Sequence, residues 1–201
     1  MGIKSIRVLV GLVTALCVLT FAPVTSLAQI KKKNKDFRQA DWGMTKEQVK
    51  KTENGKPVKE DDKTLAYQGK LLNLDCLIIY QFFDEKLTSS GYNIAKHHTN
   101  RNDYISDYDN LKDKLIEKYG KPLTEGDLWK NDLYKNDPQN WGLAVSIGHL
   151  IYLAKWETDR TDINLALAGD NFEITLALFY ASKELRVLEE KARKKKTLGD
   201  F

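Results

Sequence analysis

Cysteine is nearly missing from this chain, with two in 201 residues, and histidine, methionine and proline are almost as scarce at three, two and four. The shortage of cysteine is the most restrictive. Cys17 lies inside an apolar N-terminal run and Cys76 is the other, so a mature chain without its leader cannot form an intramolecular disulfide. Its stability must then come from packing. Cys76 sits in the strand-like run Leu74-Asp75-Cys76-Leu77-Ile78-Ile79-Tyr80 without a basic neighbour, which reads as a small buried hydrophobe. With three histidines, metal and acid–base chemistry has few places to sit. Gly-x-Ser-x-Gly is absent, since Ser89-Ser90-Gly91 and Ala144-Val145-Ser146-Ile147-Gly148 both lack the first glycine. No glycine loop followed by Lys-Ser or Lys-Thr is present to cradle a phosphate, and the abundant Asp pairs read as turn caps. These absences argue against an enzyme and against a cofactor.

Long apolar runs are also few. Lys4 and Arg7 precede a charge-free stretch from Val8 to Phe21, then Pro23 and the small-residue pattern Ser26-Leu27-Ala28. That order is a secretory signal peptide over residues 1–28; the run stops short of the roughly 18 to 20 apolar residues a membrane span requires. No cysteine stands at the cleavage point to take a lipid. The reading is therefore of a periplasmic or secreted protein. Removing Lys4 and Arg7 lowers the formal charge from +4 to +2, which favours no anionic partner, and no nucleic-acid partner is expected.

Residues 29–36 form a basic leader, Lys31-Lys32-Lys33-Asn34-Lys35, and ordered structure is expected from Phe37. Thr45 and Gln48 have the spacing of a capping box, with Met44 placed to staple onto Val49, so a short helix starts here and Gly55-Lys56-Pro57 ends it. Tyr104, Tyr108, Leu111, Leu115 and Tyr119 recur at spacings of three and four, a second helix that ends at Gly120-Lys121-Pro122. Alternating apolar segments follow each stop: 64–72, 75–83 and 86–94, then 149–157, 161–168 and 172–180. The expected turns are Asp84-Glu85-Lys86 and Gly169-Asp170-Asn171.

The fold class expected is α+β: an antiparallel sheet of four to six strands covered by two helices, built as two α-β-β-β units over about 37–95 and 103–182 in one domain, 37–182. An insertion at 123–148 enlarges the second unit. Residues 183–201 form a basic C-terminal helix or tail, whose run Lys191 to Lys196 is a possible contact with anionic lipid.

Gly43-Met44-Thr45, Val49, Gly55 and Pro57 resemble the opening motif of small envelope proteins, namely the lipoprotein subunit of the outer-membrane β-barrel assembly machine and the β-lactamase-inhibitor-protein-like repeats. Trp42-Gly43-Met44-Thr45 with Gly169-Asp170-Asn171 is also similar to an exported bacterial family with no assigned activity. The resemblance implies helices on an antiparallel sheet and a non-catalytic role in binding an envelope protein. The lipidated cysteine of the first group is missing here.

Two clusters remain as candidate sites. Trp129, Tyr134, Trp141 and Trp156 crowd into and beside a polar insertion; they are either a binding surface or local core under a long loop. His97, His98 and Asp103 offer nitrogen and oxygen ligands close in sequence, which a small metal-dependent hydrolase would need. The favoured function is an exported, non-enzymatic protein-binding or structural domain; the alternatives are that hydrolase and a carrier of a small apolar ligand. Nothing in the sequence sets the oligomeric state.

Overall fold

The computed structural model describes residues 35–199. The expected signal peptide 1–28 and most of the basic leader lie outside the described residues.

Eight strands form one antiparallel sheet: β1 (Lys59–Glu60), β2 (Thr64–Leu71), β3 (Leu74–Phe83), β4 (Lys86–Ile94), β5 (Thr124–Trp129), β6 (Leu150–Glu157), β7 (Thr161–Asp170) and β8 (Glu173–Ser182). Their spatial order is β1-β2-β3-β4-β8-β7-β6-β5. The helices are α1 (Lys46–Lys50), α2 (Asn102–Tyr119), α3 (Trp141–Ser146) and α4 (Lys183–Gly199), with a 3₁₀ turn at Pro138–Asn140. The protein is therefore α+β, as its patterning indicates, but the sheet has more strands than the expected four to six. The two additional strands are the outermost ones. An edge strand has no second neighbour to bury against, so β1 and β5 show no apolar alternation to read. β5 and α3 both arise within the segment taken as an insertion.

Local signals hold where they depend on near neighbours. Thr45 caps α1, and its box with Gln48 is closed in both directions. The helix stops at Lys50, however, well before Gly55, whose φ of +91° serves the loop that follows. α2 spans the expected residues and buries Tyr108, Leu111 and Leu115. Leu72-Asn73, Asp84-Glu85 and Asn171-Phe172 each place two successive residues in the left-handed region, as tight two-residue hairpins require. The last of these turns overlaps the expected Gly169-Asp170-Asn171 only at Asn171 and ends one residue later. Phe172 consequently sits in the turn, 63% exposed, instead of starting the inward row of β8.

One face of the sheet carries the core. Ile163, Leu165 and Leu167 on β7 stand opposite Tyr180, Leu178 and Leu176 on β8, and Ser90 and Tyr92 on β4 continue the same rows. α2 and α3 pack across β6, β7 and β8. Over β3, β4 and β8 the ring of Phe37 lies 5.5 Å from Tyr80, 5.1 Å from Tyr92 and 5.1 Å from Tyr180. The buried indole of Trp42 donates to Thr161 Oγ1 at 2.9 Å and ties the segment before α1 to β7.

Cys76 points into this core, 3% exposed, and burial pushes its thiol above the ordinary range. Native protein at about pH 8 should therefore resist iodoacetamide and react only once unfolded in urea. Mass spectrometry decides this, and stoichiometric labelling of the folded chain would contradict the placement.

Candidate interaction surface

The aromatic residues in and beside 123–148 do not all do the same thing. Trp156, on β6, is 3% exposed and its indole donates to the Gly120 carbonyl at 2.8 Å, fixing the end of α2. It is core. Trp129, the last residue of β5, pairs with Leu150 and so points toward the helices. Its ring meets Trp141 edge-on at 6.1 Å, and its indole donates to Asp127 at 3.0 Å. Trp141 in turn donates to the Lys135 carbonyl at 3.2 Å, and Tyr134 lies 6.3 Å from the His149 ring. Trp129, Tyr134 and Trp141 are partly buried against the main core. Much of their area is thus spent under the insertion.

A residue that the sequence reading passed over holds this region in place. Asn102, in the first turn of α2, accepts the Gly142 amide at 2.6 Å and donates to the carbonyls of Pro138 and Gln139 at 3.1 Å each. One side chain thereby fastens the 3₁₀ turn and α3 to α2. Nothing in the local sequence marks it, because its partners lie about 40 positions away.

Outside the aromatic cluster, β5 is open. Thr124 to Leu128 are exposed, and Leu123, Leu128 and Leu133 are 64%, 52% and 69% exposed. Three large apolar side chains are thus left in water on or next to an edge strand. The Lys130 amide donates to the His149 carbonyl at 2.7 Å. By the alternation of an antiparallel ladder, the peptide groups of Glu125 and Asp127 then point away from β6 and, among the described residues, have no strand beside them.

His98 and His97 diverge. His98 Nε2 lies 2.6 Å from Asp107 and its Nδ1 3.7 Å from Asp103, with Tyr104 edge-on to its ring at 4.8 Å. His97 is exposed. Among the described residues, no three His, Cys, Asp or Glu side chains gather to hold a metal ion. The His98 group ties the loop after β4 to the first turns of α2 instead of bringing His97, His98 and Asp103 together. A cleft of about 340 Å³ opens elsewhere, with Trp42 and Leu185 in its walls beside Arg160, Lys183 and Glu184. Burial pushes the Tyr152 phenol up to about 12, with the Asp127 carboxylate adding to the shift.

In comparisons with known proteins, no family model, curated sequence or solved structure matches this chain.

Proposed function

We propose that this chain is an exported, non-enzymatic protein-binding domain of the cell envelope, and that its partner lays an extended segment along β5. The observation behind this reading is the edge strand, exposed from Thr124 to Leu128, with Leu128 on it and Leu123 and Leu133 before and after it. Strand addition supplies affinity through main-chain hydrogen bonds and specificity through the alternate side chains. A segment with an apolar residue level with Leu128 would cover the one large apolar side chain that β5 itself leaves in water. The carboxylates Glu125, Asp127 and Asp132 lie nearby and favour a segment that also carries lysine or arginine.

The sheet order supports a finer reading of the fold. Each half is a helix followed by strands that meander inward from an edge, and the two halves meet through the last strand of each, β4 against β8. We read this as two related units in tandem, the second having lengthened its edge strand and added α3. That arrangement is in keeping with the resemblance to envelope repeats, and the added elements are the ones that border the proposed edge.

A photo-reactive residue in place of Leu128, activated in intact cells, tests the reading. One recurrent protein is expected to be captured, and capture is expected to fall at least about tenfold with Glu125→Pro, which removes an outward amide while leaving the β5–β6 bonds in place. Trp129→Ala should lower stability more than capture. Absence of a recurrent partner, or equal capture by Glu125→Pro, overturns the proposal.

A further inference from the structure

Charge is divided unequally along the chain, which the small net charge of the whole conceals. Residues 35–182 hold 20 lysines and arginines against 24 aspartates and glutamates, net −4, whereas α4, Lys183–Gly199, holds seven against three, net +4. Its three acids, Glu184, Glu189 and Glu190, all precede Lys191. Residues 191–199 then carry Lys191 and Arg193-Lys194-Lys195-Lys196 with no acid among them. The domain holds the first turn of α4: Ser182 Oγ accepts the Leu185 amide at 3.2 Å, Lys183 pairs with Glu157 at 2.7 Å, and Leu185 packs against the core. From Arg186 on, the described side chains are exposed, apart from half-buried Glu189. Val187 and Leu188 are 48% and 53% exposed. Leu185, Leu188 and Ala192, at spacings of three and four, continue one apolar line from the core out into solvent.

We propose that α4 lies on an anionic phospholipid surface, with its apolar line at the boundary between headgroups and acyl chains, and so holds the domain at a membrane. Three features point to a lipid surface. The first is the pairing of exposed leucine and valine with an excess of lysine and arginine on one helix about 25 Å long, the makeup of a helix that rests in the plane of a membrane. It does not cross one, since no described helix is long and apolar enough to span a bilayer. The second is the spacing of the basic run. Cations at positions 191 and 193–196 span more than one full turn, which is not the one-sided spacing that a groove on a folded partner reads, whereas mobile headgroups gather around whatever charge a helix brings to the interface. The third is the division of charge. A body of net −4 is repelled by an anionic surface and a helix of net +4 is drawn to it, so α4 is the part that the surface selects. This contact leaves the β5 edge in water and does not rest on the reading given for that edge.

Co-sedimentation with vesicles provides the test, using the mature chain, residues 29–201, so that the apolar run from Val8 to Phe21 is not itself the anchor. Binding is expected to vesicles of phosphatidylcholine with about 30% phosphatidylglycerol, and at least about 30-fold weaker binding to phosphatidylcholine alone. Each cation near the surface accounts for about fivefold, so Lys191→Gln, Lys194→Gln and Lys195→Gln together are expected to raise the dissociation constant at least about 30-fold. Leu188→Gln by itself is expected to raise it about fivefold. All four positions lie past the turn that the domain holds, and thermal unfolding followed by circular dichroism verifies that the variants keep the parent's fold. Lys31-Lys32-Lys33 is common to every variant, so binding through that leader survives the triple change. Equal binding to the two kinds of vesicle, binding to neither, or binding that the triple variant or Leu188→Gln leaves unchanged overturns the proposal. Capture of duplex DNA in place of vesicles, lost in the triple variant, also overturns it and assigns the basic helix to a nucleic acid.

Discussion

Replacing Arg38 by methionine is expected to cost about 3–5 kcal/mol of folding stability, because it leaves a buried carboxylate without its cation. The Glu53 side chain is 5% exposed. It accepts Arg38 Nε at 2.7 Å and Nη2 at 3.1 Å, and also a short hydrogen bond from the Tyr80 hydroxyl. Burial first, and then Glu53, hold that phenol strongly in its protonated form. Arg38 adopts a left-handed backbone, φ +51°, within the Phe37–Ala40 turn. The two partners are unequal. Arg38 is 33% exposed and could reach water if Glu53 were removed, whereas Glu53 could not reach water if Arg38 were removed. Glu53→Gln should therefore cost less, about 1–2 kcal/mol, since the neutral amide still accepts from Tyr80. Urea unfolding measures both changes, as a lower midpoint at constant slope. If Arg38→Met falls within about 1 kcal/mol of the parent, Glu53 reaches solvent in the folded protein and the network is not the fastening described.

Gly142→Ala is the second substitution with a large expected effect, and here two principles oppose each other. Alanine is favoured over glycine in a helix by about 1 kcal/mol, so propensity alone forecasts a gain in α3. The tertiary structure forecasts a loss. A Cβ at 142 would stand 2.3 Å from the Arg101 carbonyl carbon, 2.5 Å from the Asn102 nitrogen and 2.6 Å from the Arg101 oxygen. All three are backbone atoms at the start of α2, and no flexible side chain is available to yield. α3 would have to lift, stretching the 2.6 Å bond from the Gly142 amide to Asn102. Overpacking of this kind costs about 3 kcal/mol, enough to reverse the sign. Gly126→Ala on β5 is the control, because nothing lies within 4 Å of its Cβ position and its φ is unrestricted, so it should be neutral or slightly stabilising. Equal stability of the two variants would show that α3 is free to move away from α2.

The expected elements that the structure contains, and those it adds, divide along a physical line. The Thr45–Gln48 box, the apolar stripe of α2 and the alternation of β3, β7 and β8 all follow from groups within about four residues of one another, or from a face buried along its whole length. β5 alternates nothing because it is last in the sheet. α3 is six residues long, too short to show a period, and forms because α2 and the sheet accept its Gly142, Ala144 and Val145.

The candidate residues divide in the same way. Aromatic residues in a polar segment were visible as a cluster, but their separate duties were not. Trp156 is core because Gly120, 36 positions earlier, ends a helix beside it. Trp129 and Trp141 face each other because β5 pairs with β6 in a register that turns residue 129 toward the helices. His98 meets Asp107 one helical turn beyond the expected Asp103, a choice made by how the loop after β4 enters α2.

By itself, then, the sequence determined the α+β composition, the Thr45 cap and the Asp84-Glu85 turn, the inward rows of the long strands and the burial of Cys76, since each depends on short-range periodicity or on side-chain hydrophobicity. Only the tertiary structure decided which strands lie at the edge, which face of the sheet stays open, and which aromatics remain partly in water. Those properties belong to pairings between residues far apart in the chain, and no local pattern encodes which partner a strand will lack.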